Sequence, residues 1–162
     1  MMRVEEKVLF TGEATFRSIK IPPNAGFPAT AVVHQHNLHY VQPDGTDVAA
    51  AALVPVHTVD ADAVLIGVNV VCMDAPVGDP GEETFTVDVL KANVSGGPAT
   101  LLDAVVTYPL DAVDYQVEPG VIGATPELLA GDTVLVTVAL IGSGGVQGQG
   151  LIVTVILRED SE

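Results

Sequence analysis

The chain has little aromatic and little basic character. It contains no tryptophan, four phenylalanines and three tyrosines, and six lysines and arginines stand against 21 aspartates and glutamates. The resulting net charge of −15 repels phosphate backbones and anionic lipid headgroups. The scarcity of rings also leaves little surface on which bases or sugars could stack. We therefore expect no nucleic acid and no membrane among its partners.

Cysteine and long apolar runs are scarce as well. The single cysteine, Cys72, excludes an intrachain disulfide framework. The most apolar window, residues 61–73, is well short of the roughly 20 residues that a membrane-spanning helix needs. The first residues, MMRVEEK, lack the apolar core of a secretory signal. We therefore expect the protein to be made and folded in a cytoplasm.

Glycine and proline, in contrast, are plentiful and are spread along the chain, with 16 and 11 copies. They separate short stretches in which apolar residues alternate, which is typical of β-strands. The stretches with the clearest alternation are residues 64–72, 85–89, 134–140 and 151–157, and further candidate strands are residues 4–10, 15–21, 30–41, 48–57 and 100–107. The pattern predicts an all-β chain folded as an antiparallel β-sandwich, for which we expect the jelly-roll type.

The positions of the prolines also indicate how the chain is divided into parts. Residues 21–28, IPPNAGFP, cannot be helical because of their prolines. We predict an extended N-terminal arm over residues 1–28 and one sandwich domain over residues 29–162. Phe27 is then a candidate apolar anchor of the arm.

Several strands are apolar on both faces, although a solvated sheet face would alternate to polar residues. We place Val64, Ile66 and Val68 on an inward row. On the opposite faces Leu65, Val71 and Met73, then Leu135 and Ile141, then Ile152 and Ile156 are also apolar. The candidate interface residues among them are Leu65, Leu135, Ile141, Ile152 and Ile156. Two explanations stay open. The other sheet or loops of the same chain could cover these faces, or they could be buried against identical subunits or a larger assembly.

The histidines form the one constellation that could carry chemistry. His34 and His36 project to the same side of a strand, His39 follows them, and His57 is the remaining histidine. Two imidazoles at this spacing can bind one metal ion together with a third ligand from a neighbouring strand. The set His34, His36 and His57 therefore defines the metal-binding alternative, a cupin-like enzyme.

A cupin signature requires more than this pair of histidines. It continues with a glutamate three or four residues later and closes with a histidine after a Pro-x-Gly turn. Here residues 37–41 supply no carboxylate, and Val48 stands where the closing histidine would follow Pro43. We therefore expect no catalytic residue, no bound metal and no cofactor.

Four segments in the second half of the chain follow a strand pattern of a known kind. The segment Thr84–Asn93, TFTVDVLKAN, and the return segment at residues 99–102, ATLL, are similar to a strand, small-residue turn and return strand of that pattern. Residues 126–138, PELLAGDTVLVTV, resemble its A-G-D-x-L-x-V-x-V strand, and residues 150–157, GLIVTVIL, resemble its closing strand. The chain thus resembles virion structural proteins of phages, whose usual Asn-Gly is replaced here by Ala92, Asn93 and Val94.

The resemblance implies a non-enzymatic β-sandwich of a virus particle. We expect a capsid decoration, or cement, protein that binds the lattice of the major capsid protein from outside and stabilises it, since an acidic chain suits the outer surface better than the DNA-filled interior. We expect a symmetric homo-oligomer, with a trimer favoured, made in the host cytoplasm and clamped to the capsid by its arm. The alternatives are a head fibre, a tail-fibre or baseplate binding module, and the cupin-like metal enzyme.

Overall fold

The structure, a computed structural model, describes residues 33–78, 84–93, 96–110, 112–142 and 147–160. Within these ranges the chain forms ten strands and no helix. The strands are β1 (Val33–Val41), β2 (Ala51–Thr58), β3 (Ala63–Asp74), β4 (Thr84–Asn93), β5 (Gly96–Thr100), β6 (Val106–Thr107), β7 (Val117–Pro119), β8 (Glu127–Leu128), β9 (Thr133–Ile141) and β10 (Gln149–Asp160). The predicted arm, Phe27 and the candidate strands at residues 4–10 and 15–21 lie outside the described residues.

The strands form two antiparallel sheets, which confirms the predicted all-β sandwich. In the first sheet the order is β1, β10, β3 and β7, and β8 also pairs with β3. In the second sheet the order is β2, β9, β4 and β5, and β6 also pairs with β4. The predicted strand at residues 100–107 is divided, because β5 ends at Thr100 and β6 starts at Val106.

The core lies between the two sheets and is built from the predicted alternation. The central strands β4, β9 and β10 each direct one row of branched residues inward, and these rows are fully or almost fully buried. The rows are Phe85, Val87 and Val89, then Val134, Val136 and Val138, then Leu151, Val153, Val155 and Leu157. Val and Thr at alternate positions suit such strands because branched side chains pack well on a pleated surface.

The alternation predicted for β3 is wrong at its start. Leu157 of β10 lies opposite Leu65, and the next residue, Ile156, lies opposite Gly67, so Ile66 has no residue across from it. This extra residue is a β-bulge, which reverses the phase of the side chains. Leu65 is therefore a core residue, 1% exposed, whereas Ile66 is 41% exposed. The assignment of Leu65 to an outward interface, and of Ile66 to the inward row, is corrected accordingly.

Tyr108 connects the two sheets at one place in the core. Its ring stacks on Phe85 of β4, with ring centroids 5.1 Å apart. Its hydroxyl accepts a hydrogen bond from the amide of Cys72 in β3 at 3.3 Å and donates one to the carbonyl of Gln116 at 2.8 Å. The Thr84 hydroxyl donates to the Tyr108 carbonyl. One buried side chain thus joins β3, β4 and the segment that leads into β7.

Candidate interaction surface

The fold brings three of the four histidines together between its two sheets. His34 and His36 of β1 have ring centroids 6.5 Å apart, and His36 lies 6.3 Å from His57 of β2. The Nε2 atom of His36 is 3.1 Å from a carboxylate oxygen of Glu159. His39 points away from this group and shares a 3.1 Å hydrogen bond with the Thr154 hydroxyl on the outer face.

The three histidine rings lie nearly parallel, with neighbouring planes 20° and 22° apart. In the part of the chain that the structure describes, no group of three or more His, Cys, Asp or Glu side chains could hold a metal ion. The geometry therefore gives the metal-enzyme alternative no support.

An apolar row crosses the outer face of the first sheet. Val41 of β1 lies opposite Ile152 of β10, Ile152 lies opposite Val71 of β3, and Val71 lies opposite Val117 of β7. Val41 is 55% exposed and Val117 is 53% exposed, while the two central members are half-buried. With neighbouring strands about 4.8 Å apart, the row spans roughly 14 Å. A continuous apolar row at this position is available for contact with another molecule.

The neighbouring rows of the same face are more polar. His39 and Thr154 stand beside Asn69 and Pro119 in the next row of residues. Beyond them, the half-buried Ile156 lies next to the bulged Ile66. These rows thus mix apolar and uncharged polar groups, whereas the last row of the same face carries one positive and one negative residue. Its members are Gln35, Arg158, Val64 and Glu127.

The other predicted interface residues are dispersed. Ile152 belongs to the apolar row, and Ile156 shares its face. Leu135 is on the outer face of the second sheet, opposite Pro55 and Leu90, and is 8% exposed although it lies outside the core cluster. Ile141 is exposed at the end of β9. The predicted residues therefore do not form one surface.

Sequence reasoning missed two members of the apolar row, Val41 and Val117. Val41 follows three polar residues of the same phase, Gln35, Asn37 and His39. Val117 belongs to a strand of three residues, which is too short to show alternation. Only the pairing of β1, β10, β3 and β7 places these valines next to Ile152 and Val71. No local signal in the sequence could have found this row.

Cys72, the single cysteine, is fully buried in β3. Its thiol lies 3.0 Å from the Asp74 carbonyl and 3.1 Å from the Gln149 carbonyl. Burial raises the pKa of this thiol to about 11. Since the thiolate is the nucleophilic form, Cys72 has the properties of a packing residue.

Comparisons with known proteins assign no family to this chain. No protein-family pattern matches it, and no curated protein sequence matches it. Among solved structures, it is similar to a chain of the cyanophage Pam1 capsid asymmetric unit, with 14% sequence identity, 93% of this chain and 99% of that chain covered, and a TM-score of 0.49. A likeness of this size carries no argument about function. Within the described ranges, no helix has the length and apolar character needed to cross a membrane.

Proposed function

We propose that this chain is a non-enzymatic structural protein of a virus particle, a decoration protein that binds the outside of the assembled capsid. The observation that carries the proposal is the apolar row of Val41, Ile152, Val71 and Val117, which crosses an outer sheet face in an acidic chain. Contiguous apolar residues on an exposed sheet face are typical of a contact site for another protein. The resemblance of Thr84–Asn93 and residues 126–138 to phage virion strands supports the same function, and these segments contain β4 and β9.

The strand order supports the jelly-roll type. Consecutive long strands alternate between the sheets: β1 is in the first, β2 in the second, β3 in the first and β4 in the second. The last two strands, β9 and β10, are inserted between earlier strands of the second and first sheets, respectively. Interleaving of this kind arises when paired strands are wound into two Greek keys.

Attachment stabilises the shell through mass action. A protein that binds the assembled lattice but not its separate subunits shifts the equilibrium toward the lattice, and many weak contacts on one shell add up. The partner is the major capsid protein lattice. The net charge of −15 favours the outer surface of the virion over contact with packaged DNA.

A substitution in the apolar row tests the proposal. In Val117→Asp a charge is placed at the end of the row, and we expect purified protein to lose co-sedimentation with intact particles of its own virus. Val113→Asp is the matched control, since Val113 is also exposed but lies outside the row. Undiminished binding of Val117→Asp, or equal loss in both variants, would contradict the assignment of this face.

The predicted arm gives a second test. We propose that residues 1–28 clamp adjacent capsid subunits, as their prolines and Phe27 led us to expect. Deletion of these residues should leave the circular dichroism spectrum of a folded sandwich while abolishing attachment. Full occupancy of the capsid by the shortened protein would refute the clamp.

A tail-fibre or baseplate module is the second candidate function. Binding to a cell surface would use exposed loop aromatics, and among the three tyrosines Tyr108 is buried and Tyr40 is half-buried. Tyr115 is exposed and has a φ of 61°, a left-handed conformation that is uncommon for a residue with a side chain. Imaging distinguishes the two functions, because a tail component labels one vertex or the tail and a decoration protein labels regular positions over the shell.

A further inference from the structure

The backbone register of β1 shows which of its groups face away from the sheet. The amide of Gln42 donates to the carbonyl of Leu151 at 2.8 Å, and these two residues continue the β1–β10 register. Hydrogen bonding alternates along an antiparallel pair, so the even-numbered residues of β1 bond to β10. The N–H and C=O groups of Gln35, Asn37 and His39 therefore point to the outer edge. In the described ranges, β10 is the only strand that pairs with β1.

The other edge strands carry features that discourage pairing with a further strand. β2 contains Pro55, two register shifts and a left-handed Leu53 with φ 52°. β5 contains Pro98 and a register shift, and β7 has three residues and ends in Pro119. Prolines, bulges and short length are the usual protections of a sheet edge.

β1 has none of these protections. It is nine residues long, pairs with β10 in one unbroken register, and contains no proline, glycine or lysine. It also contains no acidic residue, although the chain has 21 of them. A long regular edge of this kind is a template for a further strand.

We propose that β1 pairs antiparallel with β1 of a second copy of this chain, across a two-fold axis at Asn37. This register pairs all nine residues and matches the odd-numbered groups that face the edge. It sets Asn37 opposite Asn37 of the second copy, Gln35 opposite His39, and Leu38 opposite His36. No two carboxylates meet, so the strand is complementary to itself. An isologous contact of this kind needs no second type of surface.

Charge also favours a second copy at this edge over one elsewhere on the molecule. Two chains of charge −15 repel each other at long range, and the acid-free strand is a place where they can approach without opposed carboxylates. Salt screens the long-range repulsion and leaves the backbone hydrogen bonds intact. The dimer should therefore be tighter at about 1 M NaCl than at about 0.15 M NaCl. A dimer held by ion pairs would be weaker at the higher concentration.

The contact goes beyond the proposed function and is independent of it. A two-fold contact yields a dimer in solution, whereas the trimer that we favoured from the sequence would give three copies. Sedimentation equilibrium of the full chain distinguishes them, because one chain has a mass of 16.7 kDa. We expect twice this mass at micromolar concentrations. A single-chain mass at all concentrations and both salt levels, or a three-chain mass, would overturn the proposal.

Substitutions at the axis test the edge itself. Asn37→Pro removes an N–H that points away from β10, so the fold should survive while the dimer is lost. Asn37→Thr keeps the N–H and should stay dimeric. Should Asn37→Pro fail to fold, Asn37→Lys leaves the backbone unchanged and sets like charges opposite each other at the axis, which should also give a single-chain mass. A folded variant of either kind that keeps the dimer would contradict pairing at β1.

Disulfide trapping tests the register. In the proposed pairing the two Cα atoms at position 37 are about 5.5 Å apart, within the range of a disulfide. The two copies of position 35 are roughly 14 Å apart, which is too far. Mild oxidation should therefore link Asn37→Cys into a covalent dimer and leave Gln35→Cys unlinked, with Cys72 buried in both. Equal trapping of both variants, or trapping of Gln35→Cys alone, would refute this register.

Discussion

Removing the hydroxyl of Tyr108 should lower the free energy of unfolding of the sandwich, because this one group of a buried side chain takes part in two hydrogen bonds. Tyr108→Phe keeps the ring stacked on Phe85 but deprives the Cys72 amide and the Gln116 carbonyl of their partner. A buried polar group without a hydrogen bond costs about 1–3 kcal/mol. The Cys72 amide stays unpaired, whereas the Gln116 carbonyl is near the surface and can accept a hydrogen bond from water. We expect the free energy of unfolding to fall by about 2 kcal/mol in total. In a domain of this size that corresponds to a fall in Tm of roughly 4–8 °C.

Urea denaturation followed by far-ultraviolet circular dichroism measures this loss without a tryptophan probe. Tyr115→Phe is the matched control, since its hydroxyl is on an exposed side chain and its removal should change the free energy of unfolding by less than about 0.5 kcal/mol. A Tyr108→Phe variant as stable as the parent would refute the assignment of Tyr108 as a connector of the sheets. Equal destabilisation of both variants would do the same.

Four further predictions concern β3 and its surroundings. Leu65→Ala should lower the free energy of unfolding in urea by about 2–5 kcal/mol, because Leu65 is a core residue, whereas Ile66→Ala should lower it far less. The reverse order would contradict the bulge. Gly148→Ala should lower Tm markedly, because its φ is +79° and a Cβ would lie 2.7 Å from the Asp74 carbonyl oxygen; an unchanged Tm would be inconsistent with this close approach. Cys72, with its pKa raised to about 11, should resist alkylation at pH 8 until urea unfolds the chain. Because the raised pKa favours the protonated thiol in the folded state, the contribution of Cys72 to the free energy of unfolding should be complete below pH 9 and lost as the pH rises toward 11. A free energy of unfolding that stays constant over this range would contradict the raised pKa.

The fold class and the centre of the core could be predicted because β4, β9 and β10 have simple alternation. In β4 the residues between the inward ones are Thr86 and Asp88, which show the phase directly. In β9 and β10 a central threonine, Thr137 or Thr154, marks the outward phase, although the other residues between the inward ones are mostly apolar. At residues 64–67, VLIG, apolar side chains occupy both phases, and alternation cannot show that Ile66 is the extra residue. Short strands such as β7 and β8 have too few residues to carry a period.

The candidate surface was less predictable for a different reason. The sequence identifies His34, His36 and His57 as candidates to lie together, and the fold brings them together, but their ring planes depend on side-chain packing that spacing does not encode. The apolar row depends on pairing between strands far apart in the chain. Residues such as Val41 and Val117 become neighbours of Ile152 and Val71 only through the sheet order.

The central claim is that this protein works by presenting surfaces to a capsid and performs no reaction. Electron cryomicroscopy of intact particles of its own virus, mixed with the purified protein, tests this claim most directly. We predict additional density at symmetry-related positions on the outer surface, absent from particles without the protein. Particles that stay bare at saturating protein, or density confined to the tail, would contradict the account.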